Sequence, residues 1–94
     1  MPSRRLAAIM FSDIVGYTSL MQEDEDSALE KLNRYKTEIE SLIGPHGGEI
    51  IQYYGDGCLM IFPSAVQAAH CGQALQLAFQ QEPGIPVRIG IHMG

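Results

Sequence analysis

With 94 residues the chain is one domain at most, and its 46% hydrophobic and 18% charged residues are the make-up of a packed core rather than of a disordered segment. Folding at this length buries only about 60–65% of the chain's surface, so stability should be modest and sensitive to truncation or to a missing partner. Eleven acidic against six basic residues leave a net charge of −5, which argues against a nucleic-acid surface but not against a small phosphate ligand held by metal ions.

In chain order, the apolar run Leu6 to Phe11 predicts a buried strand ending at the polar pair Ser12 and Asp13. Ile14 to Gln22 reads as a loop or short helical turn opened by Gly16. Asp24 to Ile43 reads as a helix, because Ala28, Leu32, Tyr35, Ile39 and Leu42 recur at steps of three and four. Ser27 with Glu30 matches a capping box, Glu30 to Arg34 is a favourable i,i+4 pair, and Gly44-Pro45 ends the helix. Glu49 to Tyr54 alternates as a second strand, Gly55-Asp56-Gly57 signals a tight turn, and Cys58 to Phe62 completes a hairpin. Pro63-Ser64 opens a second helix over Ala65 to Gln80. Val87 to Met93 is a fourth strand with Val87, Ile89 and Ile91 on one face.

The order β-α-β-β-α-β predicts an α+β, ferredoxin-like fold: one antiparallel sheet with the helices on one face. In that topology the first and third strands are central neighbours. Asp13 after the first strand and Asp56 in the turn before the third therefore reach the same edge of the sheet. Taken singly, such residues are most often an N-cap and a turn residue. Together they match what Mg²⁺ takes, one or two carboxylates plus substrate phosphates, and two such ions about 3.5–4 Å apart activate a hydroxyl and stabilise a leaving phosphate. The loop Ile14-Val15-Gly16-Tyr17-Thr18 lets the backbone approach an anion closely at Gly16.

The residues at these places carry a resemblance. Phe11-Ser12-Asp13-Ile14-Val15-Gly16-Tyr17-Thr18 resembles the first metal motif of class III adenylate/guanylate cyclase catalytic domains, and Tyr54-Gly55-Asp56-Gly57 resembles the second. Val87 to Gly94 is similar to the family's next signature strand. The three motifs stand in the family's order and spacing and cover nearly the whole chain. The resemblance implies a cytoplasmic signal-transduction enzyme, working as a head-to-tail homodimer or as a heterodimer with another cyclase domain. Its activity would be conversion of ATP or GTP to the 3′,5′-cyclic monophosphate and pyrophosphate with two Mg²⁺ or Mn²⁺ ions.

Carried over by position, Asp13 and Asp56 would bind both ions, and the carbonyl of Ile14 would join one of them. Gly16, Tyr17 and Thr18 would hold the triphosphate through the backbone, and Arg88 would contact it from the fourth strand. Gln52 stands where many adenylate cyclases carry a Lys that reads adenine, and its amide is the base-contact candidate. The family's second base-reading residue and its transition-state Asn and Arg lie beyond Gly94. Residues 1–94 are thus expected to be the N-terminal part of a catalytic domain, inactive alone and prone to self-association through uncovered apolar surface.

The competing reading is a non-catalytic cyclase-like module that binds nucleotide or dimerises. Gln52 favours it, and the retention of Asp13 and Asp56 opposes it. An RNA-binding βαββαβ domain is set aside, because the third strand offers one Phe and no flanking charge. Gly47-Gly48-Glu49 is similar to a diguanylate cyclase motif but falls before the second strand, not in the hairpin turn. Cys58 and Cys71 read as buried thiols of a reducing compartment. Arg4 and Arg5 have no signal-length apolar stretch behind them, and no apolar run is long enough to span a bilayer. Met10, Met60 and Met93 read as core; Tyr53 and Tyr54 could stack a base, with sheet packing the favoured reading for at least one of them.

Overall fold

The computed structural model describes residues 7–93. Within them the order is β1 (Ala8–Ile14), α1 (Tyr17–Glu23), α2 (Glu25–Ile43), β2 (Glu49–Tyr54), β3 (Gly57–Phe62), α3 (Ala65–Phe79) and β4 (Val87–Met93). The strands form one antiparallel sheet in the order β2-β3-β1-β4, so the expected ferredoxin-like arrangement is present with β1 and β3 at its centre. α2 and α3 pack on one face. Tyr35, Ile39 and Ile43 from α2 and Ala68, Cys71, Leu75 and Phe79 from α3 lie over Met10, Cys58, Met60 and Phe62. Along β1 the pleat sends Ala8, Met10, Ser12 and Ile14 into this core and Ile9, Phe11 and Asp13 to the helix-free face. α3 comes close because Gly72 has no side chain; a Cβ there would sit 3.4 Å from the Met10 methyl.

Several boundaries differ from expectation. β1 does not stop at Phe11; it runs on to Ile14, because Ser12 is a core residue. Its side chain is buried and its hydroxyl lies 2.6 Å from that of Tyr35, whose ring stacks on Phe79 at 5.7 Å between centroids. A polar side chain with a buried partner does not end a strand. Leu6, Arg4 and Arg5 lie outside the described residues. The segment after Gly16 is a separate helix, α1, with no fully buried residue. The cap of α2 is Asp24, which accepts from the Ser27 amide at 3.1 Å, so Ser27 and Glu30 do not form a capping box. Nor does Arg34 pair with Glu30. Its Nη2 donates to the Ala78 carbonyl at 2.7 Å, Nη1 donates to the Pro83 carbonyl, and Nε lies 3.6 Å from Glu38. Three carbonyl and carboxylate oxygens outbid one exposed glutamate, and Arg34 ties α2 to the end of α3 and the loop entering β4. Met93 is exposed rather than core, as is Ile91, both on the edge strand β4.

β2 holds a feature that simple alternation hides. Ile50 pairs with Met60 and Gln52 with Leu59, leaving Ile51 as an extra residue in a bulge. Ile50 and Tyr53 therefore both face the helices, while Gln52 and Tyr54 turn to the open face. Tyr53 is the packing tyrosine: its hydroxyl donates to Glu40 at 3.0 Å and Lys36 sits 5.0 Å from its ring centroid.

Replacing Tyr35→Phe should lower the unfolding free energy by about 1–3 kcal/mol, since the buried Ser12 hydroxyl loses its partner; urea unfolding followed by circular dichroism measures it. A second expectation concerns the free thiols. Burial pushes Cys58 and Cys71 up to about 11 from an ordinary 9.0. Both stay protonated in the fold at pH values where the unfolded chain ionises. Their contribution is complete below pH 9 and is lost as pH climbs toward 11. The melting temperature should fall over that window, and less steeply in a Cys58→Ala, Cys71→Ala double variant.

Candidate active site

Three strands deliver the site to one corner of the helix-free face. Asp13, next to last in β1, lies opposite Gly57 of β3 on one side and opposite Arg88 of β4 on the other. The corner is laced by main-chain bonds. The Ile14 amide donates to the Asp56 carbonyl at 3.1 Å, and the Val15 amide donates to the Pro86 carbonyl at 2.8 Å. Asp13 and the Asp56 hairpin thus meet at the same sheet edge, as the topology requires.

The Asp13 carboxylate has two unlike oxygens. Oδ2 accepts from Arg88 Nη2 at 3.1 Å, in a pair whose side chains are 33% and 72% exposed respectively. Oδ1 is buried and has no hydrogen-bond partner. Arg88 is held in its charged form by the hydrogen bond to Asp13, by that carboxylate's charge and, further off, by Asp56. Among the described residues no group of three or more His, Cys, Asp or Glu side chains is so placed that it could hold a metal ion. A cation here would have two carboxylates and would fill its shell with main-chain carbonyl, water or substrate oxygens, which is how Mg²⁺ is usually held.

The rest of the corner is built on glycine and an aromatic ring. Gly16 takes φ 75°, a left-handed turn that only glycine adopts cheaply, and so starts α1 directly after β1. The first amide bonded back within α1 is that of Leu20, to the Gly16 carbonyl at 3.0 Å. The amides of Tyr17 and Thr18 precede it and have no partner within the helix. Tyr17 is half-buried against the core and Thr18 is exposed. Gly57 has no room for a side chain: a Cβ would lie 2.6 Å from Tyr54 Cε2 and 2.8 Å from the Ser12 carbonyl oxygen. The Tyr54 ring therefore lies over Gly57, on the same side as Asp13. Burial, and then the Asp13 carboxylate ahead of Cys58 and Asp56, push its phenol up. Gln52 is exposed on this face but one row away, on the edge strand beside Leu59, so it is not brought to Asp13.

Sequence reasoning missed two neighbours of Asp13. The Arg88 ion pair follows from the strand register once β1 is carried through Ile14. The Tyr54 ring was hidden by the bulge, which no residue type at Ile51 announces.

The adenylate and guanylate cyclase catalytic domain model matches residues 1–94. A Rhizobium meliloti protein named "Putative adenylate cyclase 3" is 41% identical over 97% of this chain and 17% of its own length. The crystal structure of an adenylate/guanylate cyclase/hydrolase from Silicibacter pomeroyi is 38% identical, with a TM-score of 0.83 over 98% of this chain and 58% of that one. Adenylate cyclases from Trypanosoma brucei, at 20% identity, share the fold with a TM-score of 0.91. The ferredoxin-like sheet and the motifs at its corner agree with these matches. The chain belongs to the adenylate and guanylate cyclase catalytic domain family. It spans 17–25% of the length of the curated relatives it matches.

Gly57→Ala should cost about 1–3 kcal/mol, because the Ser12 carbonyl is backbone in a central strand and cannot swing clear. Thermal unfolding checks it.

Proposed function

We propose that this chain supplies the metal-binding part of a nucleotide cyclase site, converting ATP or GTP to the 3′,5′-cyclic monophosphate and pyrophosphate. On this reading it is the N-terminal portion of a catalytic domain and is inactive alone, in keeping with its partial coverage of solved relatives. The observation that carries the proposal is the partnerless buried Oδ1 of Asp13 beside the Asp56 hairpin, in a chain of cyclase ancestry. A buried carboxylate oxygen with nothing to bond is costly, and a hard divalent cation suits it.

Asp13 and Asp56 would hold two Mg²⁺ or Mn²⁺ ions, with the Ile14 carbonyl joining one. When bound, the ions supply Lewis acidity to the ribose 3′-hydroxyl and charge neutralisation to the departing pyrophosphate. The residues of the chain act by position. Gly16 turns the backbone so that the amides of Tyr17 and Thr18 meet phosphate oxygens. Arg88 gives a planar fork of donors to the triphosphate, and the Gln52 amide meets the purine edge. The 3′-oxygen bonds to the α-phosphorus, the bond from that phosphorus to the bridging oxygen of pyrophosphate breaks, and the 3′-hydroxyl proton is released.

The site would be completed by a second cyclase domain, the same chain or another. Phe11 and Tyr54, exposed on the helix-free face, support such pairing. Among the described residues no helix is long and apolar enough to cross a membrane. The nucleotide substrates and the free buried thiols favour a cytoplasmic setting.

The full-length protein assayed with ATP and with GTP in Mn²⁺ should release cyclic nucleotide, and Asp13→Ala or Asp56→Ala should each reduce the rate by at least about 100-fold. Nucleotide bound with no product formed would support the second reading, a regulatory module, for which Gln52 in place of a base-reading Lys is the favouring feature.

A further inference from the structure

Asp13 Oδ2 has two claimants. In the structure it is Arg88 that holds it, at 3.1 Å, across the β1–β4 ladder. On the metal-site reading above, a divalent ion needs the same carboxylate. We propose that Arg88 is a built-in counter-ion of Asp13, which a divalent ion must displace and which the triphosphate draws away, so that cation and nucleotide bind cooperatively.

The geometry supports an exchange rather than a permanent pair. The strand register sets Asp13 and Arg88 directly opposite one another, so they meet without any loop having to move. Only one oxygen of Asp13 is engaged, and the other faces inward with no partner. Arg88 is otherwise turned to solvent, and among the described residues Asp13 is its sole side-chain partner. An exposed pair of this kind is weakly held. A triphosphate offers the guanidinium several anionic oxygens at fork spacing, a stronger partner than one carboxylate oxygen. Once Arg88 turns to the phosphates, Oδ2 is released from the β4 side, and the carboxylate is free to turn towards the Asp56 hairpin on its β3 side. The two carboxylates then act together, with Asp13 no longer neutralised by the guanidinium. Coupling of this kind is reciprocal: whatever nucleotide does for the cation, the cation does for nucleotide.

The experiment titrates Mn²⁺ alone into the full-length protein, counting free ion by electron paramagnetic resonance, in wild type, Arg88→Gln, Asp13→Asn and Lys36→Gln. Affinity for 3′-deoxy-ATP, which cannot cyclise, is then measured at saturating Mn²⁺. Arg88→Gln should bind Mn²⁺ roughly fivefold more tightly than wild type and the nucleotide analogue roughly tenfold more weakly. Lys36→Gln removes a positive charge on the helix side, against Tyr53, and should leave Mn²⁺ affinity unchanged. Equal Mn²⁺ affinity in wild type and Arg88→Gln, with loss in Asp13→Asn, overturns the counter-ion role and leaves the metal site standing. The same gain in Lys36→Gln as in Arg88→Gln also overturns it, since general charge would then explain the effect. Absence of Mn²⁺ binding in wild type and Arg88→Gln alike overturns both the exchange and the metal-site reading.

Discussion

The hydrogen bond between the hydroxyls of Ser12 and Tyr35 is the constraint on which the active corner rests. A central strand reaching a polar residue ordinarily has two choices, to leave the core or to strand a hydroxyl in it. Tyr35 removes that choice by bringing a phenol from α2 into the core and meeting Ser12 at 2.6 Å. β1 then stays in register through Ile14. Asp13, on the other side of the pleat, is set between Gly57 and Arg88. The chemistry on one face of the sheet is thus held by a polar contact on the other. Tyr35 is itself fixed by stacking on Phe79, so α2 and α3 both act on the placement of one carboxylate.

Much of this was legible in the residues. The strand and helix order, the central pairing of β1 with β3, and the meeting of Asp13 with the Asp56 hairpin all follow from periodicity and right-handed connection. What escaped was what depends on side chains meeting across elements. Ser12 looks like the end of β1 until its partner on α2 is known. The capping of α2 was displaced because Asp24, Ser27 and Glu30 are all competent cap residues and local sequence does not rank them. Arg34 was paired with Glu30 by helical spacing, whereas its stronger partners are carbonyls more than forty residues away.

The same division separates family from mechanism. The motifs around Asp13, Asp56 and Val87 to Gly94 identify the family on sequence alone, and the fold agrees. The electrostatics of the corner need coordinates. Asp13 has one buried oxygen without a partner and one paired with an exposed arginine, so the two oxygens of a single carboxylate stand in unlike surroundings. A net charge of −5 makes that arginine conspicuous. Among the described residues its one side-chain partner is Asp13.

The single extra residue at Ile51 has a consequence for how this strand can vary. In a regular ladder, every second residue shares a face, and the amide of Gln52 and the ring of Tyr54 would sink beneath α2 while Tyr53 surfaced. The offset reverses this for the last three residues of β2 and leaves the earlier ones untouched. An insertion or deletion at this one point would therefore act as a frameshift in space, exchanging what the sheet shows on its helix-free face with what it shows to its own interior. Point substitutions elsewhere along the strand have no such reach.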